Sequence, residues 1–172
     1  MLTALAAGLA LLVPAASAGA SVIPQATSRP DDVVLIQNVA TGKCLDMTGD
    51  SKSEGAEPQL WTCNGNEQQR WEFDAVGSYY LVVDDASGLC LSISGNDTQP
   101  GGEVIQWPCN QSGGDAWELW QKQTLNMPSG QYRLANLGDG LDVMQPSGCG
   151  TANGTKMFVN VATDCSDNIW HT

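Results

Sequence analysis

The chain has 172 residues, which is long enough for one domain with a hydrophobic core of its own. Its 7 Lys and Arg residues stand against 19 Asp and Glu residues, so the formal net charge is −12. A surface this acidic repels phosphate backbones and anionic lipids, which argues against nucleic-acid partners and membrane-surface binding. The charge does not indicate which partner is bound.

The first 20 residues carry no charge and are dominated by Ala and Leu. The run ends in the small-residue sequence ASA at residues 16–18, typical of a signal-peptidase site, although no Lys or Arg precedes it. It is too short for a comfortable membrane span, and it lacks the polar face of a helix packed on a core. We therefore predict a signal peptide over residues 1–20, a flexible lead-in over residues 21–32, and a secreted, extracellular protein without membrane insertion.

Residues 33–77 have the pattern of several short β-strands. The segments VVLIQN, CLDM, PQLWTC and RWEF are rich in apolar, β-branched and aromatic residues, and Gly, Asn, Asp and Ser fill the intervals. Beyond residues 1–20, no stretch has a convincing helical period. The pattern predicts an all-β domain.

The same pattern returns 46 residues later. Trp107 and Cys109 follow Trp61 and Cys63 at this interval, within the similar segments LWTCNGNEQQRWEF and QWPCNQSGGDAWEL. The other residues that match at this interval are Gly42, Cys44, Leu45, Asn64, Trp71 and Glu72, with Gly88, Cys90, Leu91, Asn110, Trp117 and Glu118. Such exact spacing indicates an internal repeat.

A third, looser copy follows the first two. The segment GDGLDVM at residues 138–144 repeats the Leu-Asp-apolar core with Gly140 at the cysteine position, and Trp170 lies near the end of the chain. We predict three repeats at about residues 33–77, 78–124 and 125–172, each with four short strands. About twelve strands would form one domain that closes on itself to hide its edges.

The cysteines follow the repeats. Cys44 and Cys63 are 19 residues apart, as are Cys90 and Cys109. Six cysteines allow many pairings, but repetition makes these two disulfides the simplest and leaves Cys149 to pair with Cys165. A zinc site is a weak alternative, because the sequence has no Cys-x-x-Cys or Cys/His cluster.

A Cys-Leu-Asp segment followed by Gln-x-Trp, in threefold register with matching cysteines, resembles the ricin B chain type lectins. The same domain occurs as the family 13 carbohydrate-binding modules of secreted enzymes. The first repeat fits best, with GKCLDM at residues 42–47 and QLWTCNGNEQQRW at residues 59–71. The resemblance covers residues 33–172 and implies a β-trefoil, which is a six-stranded barrel capped by three hairpins with pseudo-threefold symmetry.

The resemblance also implies a binding site for a glycan or polysaccharide in the first repeat. We predict no cofactor and no metal. Asp46 would accept charge-assisted hydrogen bonds from sugar hydroxyls, Trp61 would stack on the ring, and Gln69 would hold Asp46 in place. The remaining residues of this set are Asn64, Gln68 and Gln59. Taken singly, Asp46 is at least as well explained as a solvated turn residue, and Trp61 as a core or merely exposed tryptophan. The complete set in family register favours binding, although function does not follow from fold.

The second repeat departs from this pattern. Ser92 stands at the position of Asp46 and Ile105 at that of Gln59. The 46-residue interval places Gly114 and Asp115 at the two amide positions that Gln68 and Gln69 hold. We predict that this repeat is structural and that Trp107 is at most a weak accessory surface.

The third repeat keeps an aspartate, Asp142, and provides a second candidate site. Counting back from Trp170 places Asn160 at the position of Trp61 and Phe158 at that of Gln59. Asp167 and Asn168 fall at the two amide positions. Trp117, Trp120 and Trp170 are predicted to be core residues.

Two other functional classes remain as alternatives. An enzyme of the triad type would need His171, the only histidine, and a glycosidase would need two close carboxylates, whereas Asp46 and Asp142 belong to different lobes of a trefoil. A protein-binding trefoil, such as a protease inhibitor or a toxin accessory subunit, would need no sugar pocket. Calcium binding by the segment DMTGDSKSE is disfavoured, because the spacing is not that of an EF-hand loop.

The sequence does not name the sugar, and it leaves open whether the chain acts beside a separate secreted enzyme. Three Asn-x-Ser/Thr sequons occur, at Asn96, Asn110 and Asn153. They would be glycosylation sites in a eukaryote.

Overall fold

A computed structural model of the chain describes residues 33–96, 99–110, 115–162 and 167–172. Over these residues the fold is all-β, as predicted, and the helices described there are five single 3-10 turns. The strands are β1 (Val33–Leu35), β2 (Gln37–Asn38), β3 (Cys44–Met47), β4 (Pro58–Trp61), β5 (Arg70–Val76), β6 (Tyr79–Asp84), β7 (Cys90–Ile93), β8 (Val104–Trp107), β9 (Trp120–Gln123), β10 (Gln131–Asn136), β11 (Val143–Pro146), β12 (Met157–Asn160) and β13 (Trp170–His171). The predicted signal peptide and lead-in lie outside the described residues. Among the described residues, no helix is long and apolar enough to cross a membrane.

Six strand positions form a closed antiparallel barrel. β1 pairs with β5, and the ring continues through β6, β9, β10 and β13. β13 then pairs with β2, which continues β1 after a one-residue break at Ile36. Closure leaves no long unpaired edge for other chains to add to. Since β1 and β2 form one barrel position, the thirteen strands fill twelve positions and confirm the predicted β-trefoil.

Three hairpins, β3–β4, β7–β8 and β11–β12, complete the trefoil. The loop of each hairpin hydrogen-bonds to a strand of the next hairpin in cyclic order. Gly55 N donates to Gln106 O at 2.9 Å, and Gly101 N donates to Val159 O at 2.8 Å. The cycle closes where Gly154 N donates to Leu60 O at 2.9 Å. Consequently, each repeat forms part of the surroundings of its neighbour.

A tryptophan from each repeat is fully buried at the same place in the core. The three indole Nε1 atoms donate to equivalent backbone carbonyl oxygens, from Trp71 to Leu45 at 3.1 Å, from Trp120 to Leu91 at 2.9 Å and from Trp170 to Met144 at 3.3 Å. A buried indole needs such a partner, since an unpaired polar group in the core costs free energy. Trp120 and Trp170 are core residues, as predicted.

The match of Trp71 with Trp117 is wrong. Trp120 takes the equivalent place, 49 residues after Trp71. The second repeat has three more residues than the first between the hairpin and this tryptophan, so the 46-residue interval holds only as far as Asn110. Trp117 is half-buried and packs against the core from outside it.

Two of the predicted disulfides are confirmed. Cys44 is bonded to Cys63 and Cys90 to Cys109, with Cα–Cα distances of 5.0 Å and 5.1 Å. Each bond joins the start of one hairpin strand to the residues just after its partner strand. Cys149 is also disulfide-bonded, but Cys165 lies outside the described residues, so the third pair stays a prediction.

Removal of the first disulfide should destabilise the fold without changing its topology. The double change Cys44→Ala and Cys63→Ala frees a loop of 19 residues. We expect the free energy of unfolding to fall by about 3 kcal/mol, because the unfolded chain regains loop entropy. Urea denaturation measures the loss. The Cys90→Ala and Cys109→Ala pair is a matched comparison with the same separation, and clearly unequal losses would contradict this account.

Candidate functional site

The first hairpin places the predicted site residues on one face. In β3 and β4, Asp46 lies opposite Gln59, and Cys44 lies opposite Trp61. Side chains alternate between the two faces of a strand, so these four side chains share a face while Leu45 and Leu60 enter the core. The disulfide from Cys44 fixes one end of this face.

Asp46 is held by two glutamine amides. Gln59 Nε2 donates to Asp46 Oδ1 at 2.8 Å, and Gln69 Nε2 donates to Asp46 Oδ2 at 2.9 Å. Asp46 is 3% exposed, so both hydrogen bonds are largely shielded from water and fix the orientation of the carboxylate. Each carboxylate oxygen can accept more than one hydrogen bond, which leaves acceptor capacity for a ligand.

Gln69 is in turn fixed by the loop that precedes it. Its Oε1 accepts hydrogen bonds from Asn64 N at 2.7 Å and Gly65 N at 3.3 Å, and its Nε2 also donates to Thr62 O at 3.1 Å. Gly65 has a φ of 74°, a left-handed conformation that glycine adopts without strain. The loop therefore folds around the Gln69 amide and aims it at Asp46.

The other three residues of the predicted set differ in their exposure and in their hydrogen bonds. Trp61 is 39% exposed, so part of its ring is open to solvent. Gln68 is buried, yet its amide makes no hydrogen bond with any described residue. Asn64 is exposed, and its Oδ1 already accepts from Asn66 N at 2.9 Å. The site thus combines a fixed carboxylate, a partly open aromatic face and an amide that has no hydrogen-bond partner among the described residues.

The hairpin loop of the third repeat forms part of the surroundings of this site. Asn153 Nδ2 donates to Thr62 Oγ1 at 3.1 Å, next to Trp61 in the chain. A Cβ atom added at Gly154 would lie 3.9 Å from Gln59 Oε1. Sequence reasoning missed this neighbour, because it follows from the cyclic contact between repeats and has no motif of its own.

The second repeat has a different constellation at the same place. Ser92 lies opposite Ile105, and Cys90 lies opposite Trp107, as the predicted register required. The predicted amide positions are wrong. Glu118 Oε2 accepts from Asn110 N at 2.7 Å, as Gln69 Oε1 does from Asn64 N, so Glu118 occupies the position of Gln69. Its neighbour Trp117 therefore occupies that of Gln68, and Gly114 and Asp115 precede both positions.

Burial raises the pKa of the Glu118 carboxyl group, and the nearby Asp115 adds to this effect. A raised pKa in the folded state means that ionisation of Glu118 favours unfolding. The protonated Glu118 therefore contributes stability that is fully present below the ordinary carboxyl pKa of 4.5. This contribution is lost as the pH rises through the raised pKa that Glu118 has in the folded protein.

We expect Glu118→Gln to stabilise the fold at neutral pH by less than about 1 kcal/mol, because solvent screening reduces the cost of the charge. The amide keeps the bond from Asn110 N, as Gln69 does in the first repeat, without a buried charge. Urea denaturation at several pH values measures the gain, which should shrink as the pH falls. The exposed Glu54→Gln is the control and should show no such gain. A gain from Glu118→Gln that did not depend on pH would contradict the charge argument.

In the third repeat, the assignment of Asp142 to the position of Asp46 is wrong. Gln145 lies opposite Phe158 and thus occupies that position. Asp142 O accepts from Asn136 N, as Lys43 O accepts from Asn38 N, so Asp142 precedes the hairpin strand. Asp142 is displaced because the preceding turn has one residue more than the turn of the first repeat. Leu141 in this turn adopts a φ of 75°.

The other residues of the second candidate site lie where counting back from Trp170 placed them. Asn160 lies opposite Val143, as Trp61 lies opposite Cys44. Asn168 is fully buried, donates to Ala162 O at 2.8 Å and accepts from Arg133 Nε at 2.9 Å, while its neighbour Asp167 is also buried. The third hairpin therefore has Gln145, Phe158 and Asn160 where the first has a carboxylate, an amide and a tryptophan. Over the described part of the chain, no group of three His, Cys, Asp or Glu side chains could hold a metal ion.

Solved structures with the same fold include a designed protein, a lectin and part of an enzyme. The designed 3-fold symmetric protein ThreeFoil superposes with a TM-score of 0.75 and 24% identity, over 82% of this chain and 97% of that chain. A Macrolepiota procera ricin B-like lectin, solved in complex with lactose, has a TM-score of 0.66 and 18% identity, over 84% of this chain and 96% of its own. The exo-beta-1,3-galactanase 1,3Gal43A from Clostridium thermocellum has a TM-score of 0.74 and 23% identity over 87% of this chain, which corresponds to 30% of the galactanase.

The sequence itself matches a family described as Ricin-type beta-trefoil lectin domain-like, in two overlapping segments at residues 21–107 and 69–160. The two segments together span most of the chain, and their overlap is what an internal repeat produces. With the closed barrel, the three hairpins and the threefold tryptophans, this match shows that the chain belongs to the ricin-type β-trefoil lectin domain-like family.

Proposed function

We propose that this chain is a secreted, non-catalytic domain that binds a sugar mainly through its first repeat. The observation that carries the proposal is the Asp46 carboxylate, held by Gln59 and Gln69 beside the partly exposed Trp61. The Gln68 residue is largely buried, and its amide adds a group that has no hydrogen-bond partner among the described residues. Membership of a lectin-like family supports a carbohydrate as the ligand.

Each group has a chemical role towards a pyranose ring. The Asp46 oxygens accept hydrogen bonds from neighbouring hydroxyls, and bonds to a charged acceptor are about twice as strong as neutral ones. Trp61 packs against the C–H face of the ring, which removes apolar surface from water. Gln68 bonds a third hydroxyl, whereas Gln59 and Gln69 act as positioning residues that keep the carboxylate in one orientation. Asn64 borders the site and shapes the loop around Gln69.

The absence of catalysis is part of the proposal. The cysteines Cys44, Cys63, Cys90 and Cys109 are bonded in pairs and cannot serve as nucleophiles. His171 is half-buried in β13, where it pairs with strand residues Gln131 and Gln37. Glycoside hydrolysis needs two carboxyl groups flanking one bond, and no second carboxylate occupies a site position of the first repeat.

One dominant site of this kind should bind weakly. A shallow site with a few hydrogen bonds and one stacked ring gives a dissociation constant from about a millimolar to tens of micromolar for a simple sugar. Tighter binding to a polymer would arise from several chains or a second site acting together, through effective concentration. A role beside a separate secreted enzyme fits such affinities.

A glycan array probed with the purified domain tests the proposal most directly. Lactose and galactose are the first ligands to titrate by calorimetry, since the Macrolepiota procera relative was solved with lactose. Binding to one glycan class with a stoichiometry near one supports the proposal. No binding to any glycan, together with capture of a glycan-free protein that does not require Asp46, would replace it with a protein-binding function.

A further inference from the structure

A cavity of about 310 Å³ lies at the end of the barrel opposite the three hairpins. It is bordered by the β9–β10 turn, at residues 124–130, and by Thr172, which follows β13. β10 begins beside the cavity at Gln131 and runs away from it towards the hairpin β11–β12. None of the described residues that line the cavity belongs to the Asp46 site, so it is a separate feature of the molecule.

A lysine points into this end of the barrel, among three aromatic rings. Lys122 of β9 is paired with the core residue Leu134 of β10, so its side chain lies on the inner face of the barrel. Its Nζ lies 3.4 Å from the ring centroid of Phe73, 4.8 Å from that of Tyr132 and 5.5 Å from that of Tyr80. The π faces attract the ammonium group and hold the long side chain at the wall of the cavity, which Lys122 lines.

The positive charge of Lys122 has no acidic partner among the described residues. The ion pairs described there involve Arg70 and Lys156 instead. Burial lowers the pKa of Lys122, and no neighbouring charge opposes this effect. Buried charges are ordinarily paired, and aromatic rings replace only part of the lost hydration. In a chain with 19 acidic residues and 7 basic ones, a half-buried cation without a carboxylate indicates that the partner comes from outside.

A buried hydroxyl beside Lys122 also lacks a hydrogen bond. Tyr132 is 3% exposed and lines the cavity, and its hydroxyl oxygen has no hydrogen-bond partner among the described residues. Burial raises the pKa of Tyr132, and the nearby Thr172 side chain opposes this rise without a hydrogen bond of ordinary geometry. The hydroxyl therefore stays protonated at neutral pH and is a donor without an acceptor. Such buried donors are rare in folded proteins, so this one points to an acceptor on a bound molecule.

We propose that this cavity binds a small organic monocarboxylate with an apolar body. One carboxylate oxygen accepts a hydrogen bond from the Lys122 ammonium group, and the other accepts one from the Tyr132 hydroxyl. Met127 and Pro128, in the β9–β10 turn, provide an apolar wall for the rest of the molecule. The cavity is at the lower end of the size range of ligand sites, so a molecule of the size of benzoate suits it.

A single negative charge fits the cavity better than a phosphate or sulfate ion. One lysine neutralises one charge, and the described lining residues include no second Lys, Arg or His. The net charge of −12 opposes the entry of each further negative charge. An inorganic anion would also leave the wall at Met127 and Pro128 without a contact. The inference does not rest on the sugar-binding function proposed for the Asp46 site.

Titration of isotope-labelled protein with benzoate, followed by NMR, tests the proposal, with the uncharged benzamide as the matched ligand. We expect benzoate to bind with a dissociation constant at or below about a millimolar and benzamide at least about tenfold more weakly, because only benzoate is a charged acceptor. The amide signals of the β9–β10 turn should shift, and those of the Asp46 hairpin should not. Equal binding of both ligands would overturn the proposal. Inorganic phosphate that displaces benzoate at equal concentration would also overturn it, in favour of unselective attraction of anions.

Variants locate the site. Lys122→Met keeps a long side chain among the rings and should weaken benzoate binding at least about tenfold, to the level of benzamide. Tyr132→Phe removes only the hydroxyl and should weaken it about three- to tenfold. The exposed Lys52→Met is the matched control and should change nothing. Unchanged benzoate binding in Lys122→Met would overturn the proposal. If thermal melting shows that Lys122→Met does not fold, unchanged binding in Tyr132→Phe is the overturning result.

Acidic residues of the chain itself are the competing occupant of the cavity. Asp31 and Asp32 lie outside the described residues and directly precede β1, whose first residue pairs with Glu72 of β5. We expect the double variant Asp31→Asn and Asp32→Asn to bind benzoate as the unaltered protein does. Binding to the double variant alone would show that the chain fills its own cavity, and would overturn the proposal. Sugar binding should be unchanged in Lys122→Met, so the two sites can fail independently.

Discussion

Replacement of Asp46 by Ala should remove measurable sugar binding. The variant deletes the charged acceptor that Gln59 and Gln69 hold at 2.8 Å and 2.9 Å. We expect a loss of about 2–4 kcal/mol, or about 30- to 1000-fold in affinity. Since the starting affinity is weak, calorimetric titration with the best array ligand should then show no heat above dilution.

Two companion variants make this result interpretable. Asp46→Ala also removes the acceptor of the Gln59 amide and one of the two acceptors of the Gln69 amide, so its fold must be checked by thermal melting. Trp61→Ala leaves the Asp46 network intact and removes a ring that is 39% exposed, so it should weaken binding without a large loss of stability. Asp142→Ala is the matched carboxylate control and should change binding little. If Asp142→Ala is the more damaging change, the third repeat contains the dominant site and the ranking of the repeats is wrong.

The fold could be predicted from the sequence because its signals are local and repeated. The segments VVLIQN, CLDM and RWEF coincide with β1–β2, β3 and the start of β5, and the 19-residue cysteine spacing anticipates two disulfides. A period of 46 residues holds wherever no residue is inserted. It fails for Trp120, because three additional residues precede it and a nearby tryptophan, Trp117, offers a false match.

The same cause limits the prediction of the site. In the first repeat, two glutamines of the predicted set, Gln59 and Gln69, both donate hydrogen bonds to Asp46. In the third repeat, the Leu-Asp pair mimics the motif, but one additional turn residue shifts Asp142 out of the hairpin and brings Gln145 to the equivalent place. Strand pairing fixes such register through backbone hydrogen bonds, which short sequence motifs do not encode. The loop at Asn153 borders the site through a contact between repeats. No sequence motif marks such a contact, so the sequence could not predict it.

Replacement of Trp120 by Ala should cause the largest loss of stability among the predicted changes. The side chain is fully buried in the barrel, and its Nε1 donates to Leu91 O at 2.9 Å. Removal of such a ring leaves a cavity and an unpaired carbonyl oxygen. We expect the free energy of unfolding to fall by about 3–5 kcal/mol, a large part of the stability of a single domain. Urea denaturation followed by circular dichroism measures the loss.

Trp117→Ala is the matched control, because it removes the same side chain three positions earlier. Trp117 is half-buried and packs on Gly138, where an added Cβ would clash with the indole ring. Its removal should cost less than that of Trp120, since solvent already reaches part of the ring and the core stays filled. Trp120→Phe should fall between the two, because the ring volume is largely kept while the Leu91 carbonyl loses its donor. A greater loss for Trp117→Ala than for Trp120→Ala would contradict this assignment. It would mean that Trp117, 46 residues after Trp71, is the core tryptophan of the second repeat.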